Sequence, residues 1–204
     1  MTFSRIALLT VTAAALSACS TVPTGPVEVT RFHQPATAAQ LGQTTIFIET
    51  ADDVDLSALE LAPYKEAVAR ELAKLGYRES SRDQAAQVAQ VSLERLVSQP
   101  QPKEGPVSVG VGGSTGSYGS GVGLGIGINL GGNKPSQLVG TQMSVRIRDA
   151  ASGDALWEGR ANFSVGTESP LAGGEANAAT IADALFREFP GNSGETVEVK
   201  VSPK

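Results

Sequence analysis

MSVRIRDAASGDALWEGRANFSV, residues 143–165, decides how the rest of the chain is read. Met143, Val145 and Ile147 alternate with Ser144, Arg146 and Arg148, the period-two pattern of a strand buried on one face only. Ala150-Ala151-Ser152-Gly153-Asp154 is a turn, and Ala155 to Val165 returns as a second strand with Trp157, Ala161 and Phe163 on one side. Such a ribbon has one apolar and one polar face, so something must cover the apolar one.

Two amphipathic segments supply the cover. Ser57-Ala58-Leu59-Glu60 has the spacing of a capping box, in which Ser and Glu satisfy each other's free backbone donors. Leu61, Tyr64, Val68, Leu72 and Leu75 then recur at three- and four-residue steps, and Gly76 stands where a left-handed C-cap falls, predicting a helix over about 58–75. A second helix is predicted over about 174–189, with Ala178, Ile181, Ala182, Leu185 and Phe189 as its stripe and Pro190-Gly191 as its stop. Trp157 is read as core.

Further strands are expected at 27–32, 44–50, 88–98 and 196–201. Together these give an α+β fold in which a mixed or antiparallel sheet carries two helices packed on one face. One domain over residues 27–204 accommodates all of it.

The segment 105–133 departs from this pattern, with no charged residue and twelve glycines in 29 positions. Val107, Val109 and Val111 alternate with small residues, as do Val122, Leu124, Ile126, Ile128 and Leu130, around a turn-rich STGSYGS tip. This is the pattern of a glycine-rich β-hairpin insertion, since each interior Gly disfavours helix by roughly 1 kcal/mol. Three uses are open to it: a loosely paired extension of the sheet, a surface on which a partner backbone docks closely, or a hairpin entering a bilayer within an oligomeric barrel.

Composition narrows the function. Against 21 acidic residues the chain has 16 basic ones, a net charge of −5, so it lacks the concentrated positive surface that nucleic acid requires. A single Cys excludes an intrachain disulfide, and one Cys with one His excludes a zinc site built mainly from those ligands. Gly112-Gly113-Ser114-Thr115-Gly116 matches G-x-S-x-G literally, but no helix pattern follows Ser114 and the sole His, His33, precedes it, so a nucleophile elbow is not supported. No glycine pattern fits a dinucleotide or P-loop cradle. Asp52, Asp53 and Asp55 lack the spacing and closing Glu of a calcium loop and suit the positive end of the following helix. No catalytic, cofactor or metal residue is therefore assigned, His33 is read as structural, and the chain is not expected to be an enzyme.

The N-terminus is more explicit. Arg5 precedes an uncharged, mostly apolar run from Ile6 to Leu16, too short for a membrane span but suited to a secretory signal. Leu16-Ser17-Ala18-Cys19 resembles the lipobox of bacterial lipoproteins, which implies removal of residues 1–18 and acylation of Cys19. Two or more acyl chains, each CH₂ contributing about 0.8 kcal/mol, anchor a protein stably. Ser20, not Asp, follows the Cys, and in the enterobacterial sorting pattern this implies the outer membrane, facing the periplasm. Residues 19–26 read as the lipidated Cys and a tether.

With these landmarks placed, the chain resembles a family of bacterial envelope lipoproteins known as domain of unknown function 4136. Phe32-His33, Leu156-Trp157-Glu158-Gly159 and Phe189-Pro190-Gly191 carry the likeness, together with the lipobox at Cys19. The resemblance implies an α+β periplasmic domain and no particular reaction. The expected function is a lipid-anchored, non-catalytic domain of the outer membrane that binds another envelope component. The alternative is a self-assembling structural or pore-forming component built through residues 105–133.

Overall fold

The computed structural model describes residues 24–52, 54, 56–98 and 137–201. Signal segment 1–18, Cys19, Ser114, Asp53, Asp55 and the glycine-rich insertion 105–133 lie outside the described residues.

Among the described residues seven strands form one open, mixed sheet. In chain order they are β1 (Thr24–His33), β2 (Thr45–Thr50), β3 (Arg78–Glu79), β4 (Gln87–Ser98), β5 (Leu138–Asp149), β6 (Ala155–Gly166) and β7 (Thr196–Val199). Across the sheet they lie in the order β3-β2-β4-β5-β6-β1-β7. β2 runs parallel to both β3 and β4, and every other pairing is antiparallel. The α-helices among the described residues are α1 (Pro35–Ala38), α2 (Ala58–Lys74) and α3 (Gly174–Phe186). The fold is α+β, as the alternating pattern of 143–165 requires. Among the described residues no helix is long and apolar enough to cross a membrane.

α2 connects the parallel strands β2 and β4 and starts as its sequence dictates. Ser57 Oγ accepts from the Glu60 amide, and the Glu60 carboxylate accepts from the Ser57 amide. The Ser57 hydroxyl also donates to that carboxylate at 2.7 Å, and this bond together with the one from the Ser57 amide holds the Glu60 carboxyl below the usual range. At the far end Gly76 adopts φ +92°, the left-handed conformation only Gly takes without strain.

α2 and α3 pack against each other and lie on one face of the sheet, α2 over β2 and β4, α3 over β6 and β1. That face is a single apolar layer. Val27 and Val29, Ile46 and Ile48, Ala89, Val91 and Leu93, Met143, Val145 and Ile147, and Trp157, Ala161, Phe163 and Val165 all meet the helices there. Burying each Val, Leu, Ile or Phe contributes about 1.5–3 kcal/mol, so this layer is the principal stabilising feature of the fold.

Three boundaries differ appreciably from the sequence pattern, the slightest of them β7, which stops at Val199 instead of residue 201. β1 begins at Thr24, three residues inside the stretch read as tether, and its register with β6 shifts between Thr24 and Val27. Pro26 sits in that irregularity, one of the few places where a strand tolerates the loss of an N–H. α3 ends at Phe186, not Phe189, because Arg187 turns to an extended backbone and Glu188 to φ 61°. This swings the Phe189 ring onto Trp157, with centroids 5.1 Å apart, instead of continuing the helical stripe. The backbone preceding Pro190 disfavours helix in any case.

Gly159 is the position where the core tolerates no side chain. A Cβ built there overlaps the Trp157 ring and comes within 2.8 Å of Leu185 Cδ1. Gly159→Ala is expected to destabilise the protein by about 2–3 kcal/mol through overpacking, read as a lower urea midpoint with an unchanged slope.

Candidate functional site: the uncovered face of the sheet

The same alternation that turns Val145 and Ile147 toward the helices turns Ser144, Arg146 and Arg148 away from them. No described element stacks over the middle of that second face. Register places its side chains in rows across the strands. Gln90 on β4 stands opposite Arg146 on β5, Arg146 opposite Glu158 on β6, and Glu158 opposite Phe32 on β1. The next row runs Ser92, Ser144, Arg160, Thr30, Thr196.

These rows are knitted by hydrogen bonds. Glu158 is the hub: Arg146 donates to its Oε2 through Nε at 3.1 Å and Nη2 at 2.9 Å, and Arg160 to its Oε1 through Nε at 2.9 Å and Nη2 at 2.6 Å. Arg160 also lies over the Phe32 ring, 5.9 Å from its centroid. On the other side of the face, Arg82 pairs with Glu49, Gln90 donates to Glu49 at 3.0 Å, and Arg148 donates to Gln90 at 3.4 Å. Thr30 and Thr196 share a 2.7 Å hydrogen bond at the β1–β7 edge.

Partial burial works to raise the Glu158 carboxyl, but the hydrogen bonds and charges of Arg146 and Arg160 prevail and hold it below the usual glutamate range. A carboxyl lowered in the folded state stabilises it above the unfolded value, and that contribution is lost as pH falls through the folded value. Glu158→Gln is therefore expected to cost roughly 1 kcal/mol at neutral pH, since both partners are half exposed. The difference between the two proteins' urea midpoints should close in acid below the glutamate range. A gap that stayed constant with pH would contradict this role.

Between β4, β5 and β6 the twist of the sheet leaves a shallow depression of about 220 Å³ lined by Ser92, Glu94, Gln142, Ser144, Arg146 and Arg160, among others. Small-molecule sites are usually larger, about 300–1,000 Å³, and mostly apolar. This open, polar trough suits an extended surface that brings its own hydrogen-bonding groups.

The residues singled out in the sequence are placed differently. His33 is half-buried and its Nε2 lies 2.9 Å from the Gly191 carbonyl, a structural position at the end of β1. Trp157 is buried, stacked on Phe186 at 5.5 Å, with Nε1 donating to the Pro190 carbonyl at 3.0 Å. Leu156-Trp157-Glu158-Gly159, His33 and Phe189-Pro190-Gly191 thus meet in one knot that fastens the end of α3 to β1 and β6. Glu158 of that set faces the open side. Asp52 lies exposed before α2, and no group of three or more metal-capable side chains occurs among the described residues.

Arg31 was not singled out, yet it is 3% exposed and caps α3. Its Nε donates to the Leu185 carbonyl at 3.0 Å, and its Nη2 to those of Ala184 at 3.1 Å and Arg187 at 2.6 Å. A signal existed: Arg31 follows Val27 and Val29 on the inward phase of the strand.

The family model described as domain of unknown function (DUF4136) matches residues 29–191. No curated protein matches the chain. Among solved structures, a PelC dodecamer from Paraburkholderia phytofirmans is similar at 13% identity and a TM-score of 0.43, covering 78% of this chain and 94% of that one. A PDZ domain protein from Parabacteroides distasonis is similar at 12% identity and a TM-score of 0.49, covering 86% of this chain and 39% of that one.

Proposed function

The chain belongs to the DUF4136 family, and from that premise we propose that it is a lipid-anchored, non-catalytic domain of the outer membrane that binds another envelope component on the uncovered face of its sheet. One observation carries the reading. Three adjacent twelve-residue strands, β4, β5 and β6, keep the middle of one face polar, ordered by the Arg146–Glu158–Arg160 cluster, where stability alone asks only for solvated side chains. The partner this face suits presents hydrogen-bonding groups and mixed charge along an extended surface, because positive and negative side chains are interleaved on it. The lipobox at Cys19 supports delivery to the envelope, with the acyl chains as the attachment to membrane.

A photoreactive benzoylphenylalanine at Ser144, in cells producing the protein from its own leader, tests the reading. A specific adduct is expected from Ser144 and not from Glu66 on the exposed side of α2, and Arg146→Ala with Arg160→Ala should abolish it. Monomer alone from Ser144, or equal yields at the two positions, would contradict it. No observation among the described residues favours assembly through 105–133 over this reading.

A further inference from the structure

The register of the sheet gathers four strand ends into one rim. Thr24 of β1 pairs with Val165 of β6, Val165 with Val139 of β5, and Val139 with Val97 of β4. The chain that leads back to Cys19 therefore departs from the same end of the sheet as the last residues of β4. Five residue steps separate Cys19 from Thr24, which reach at most about 18 Å. The rim from Thr24 to Val97 spans three inter-strand spacings, about 14 Å.

This end is chemically unlike the other. Residues 24–26, 96–98, 137–140 and 164–167 include no charged side chain; going inward the first charges are Glu28, Glu94 and Arg95, and the exposed Glu168 follows in the turn after β6. The opposite end holds His33, Arg148, Asp149 and Asp154. The rim also carries two of the four large apolar side chains exposed among the described residues, Leu96 at 71% and Val97 at 67%. They are neighbours in one strand, so their side chains leave opposite faces of the ribbon and a single flat protein surface does not cover both. An immersing medium does.

We propose that this rim faces the bilayer and that Leu96 and Val97 enter the headgroup boundary of the membrane that holds the acylated Cys19. The inference rests on the lipid anchor of the proposed function and adds an orientation to it: the strands stand toward the membrane, and the Ala150–Asp154 turn points away from it. The four strand ends themselves bring no ionised group to lipid, which keeps the desolvation cost of seating them there low, and the short tether keeps the apolar pair within reach.

The test uses the full acylated protein, purified from membranes and reconstituted in phosphatidylethanolamine–phosphatidylglycerol vesicles containing brominated phosphatidylcholine. Because the native Cys19 is taken up by the lipid, Leu96→Cys, Val97→Cys and Ala151→Cys can each carry one thiol-reactive fluorophore. Bromolipid is expected to quench the labels at 96 and 97 several-fold more than the label at 151. Equal quenching at all three sites, in protein that floats with the vesicles, would overturn the orientation while leaving the anchor intact. Protein that fails to float would overturn the anchor and the orientation with it. A second variant, Leu96→Asp with Val97→Asp, should float as the wild type does and lose the preferential quenching of a label at Leu138→Cys; retained quenching there would count against the role of the apolar pair.

Discussion

Trp157→Ala is expected to lower the unfolding free energy by about 4 kcal/mol, as read by urea denaturation. The indole is essentially inaccessible and bridges three elements: it rises from β6, stacks on Phe186 of α3, and supports Phe189 in the following turn. Truncation removes its transfer free energy and leaves a cavity that Gly159 cannot fill, which places the cost in the range of about 3–5 kcal/mol for large aromatic residues. Trp157→Phe separates the contributions. It retains ring contact but loses the 3.0 Å bond to the Pro190 carbonyl, so about 1–2 kcal/mol of the loss should remain. A Trp157→Ala protein within about 1 kcal/mol of the wild type would show that the knot is not cohesive.

Arg31→Met is expected to have the second large effect, a loss of about 3–4 kcal/mol. Met keeps much of the apolar stem but leaves the carbonyls of Ala184, Leu185 and Arg187 without their donors, and hydrogen bonds to a charged group contribute about 1.5–3 kcal/mol each before relaxation. The positive charge also lies at the negative end of α3. Burial pushes the Arg31 guanidinium down from its ordinary value and the nearby Glu188 pushes it back; a guanidinium is a cation at any ordinary pH. Gly191, at φ +76°, lets the guanidinium stem pass; a Cβ there falls 2.6 Å from Arg31 Cδ. Hydrogen exchange at the last turn of α3 should accelerate in Arg31→Met more than exchange at α2. Uniform acceleration, or a loss below about 1 kcal/mol, would contradict the capping role.

These two residues also mark how far the sequence could be read. α2 was legible from end to end because its signals are local: a capping box, a stripe and a terminal glycine all lie within twenty residues. The β5–β6 hairpin was legible for the same reason. The end of α3 was not, since Ala182, Leu185 and Phe189 continue the helical spacing while the backbone turns away at Arg187 to pack Phe189 on Trp157. That choice is tertiary. Strand order was equally hidden, as nothing local places β1 between β6 and β7 or makes β2 parallel to β4.

The open face was half legible. Polar alternation marked Ser144, Arg146 and Arg148 as solvent-facing, but the Arg146–Glu158–Arg160 cluster exists only through the register of β5 on β6. The residues that carried the family resemblance proved mostly to be packing and capping groups. Trp157, Gly159, His33 and Gly191 fix the end of α3, and Glu158 and Phe32 turn to the exposed side.

The envelope role and the membrane-facing rim both depend on Cys19 being the acylated first residue of the mature protein. Intact mass measurement of the protein extracted from membranes addresses this directly. The expected mass is that of a chain beginning at Cys19 with diacylglycerol on the sulfur and an acyl group on the amine. A chain that retains any of residues 1–18, or one whose Cys19 thiol is free, would contradict the account.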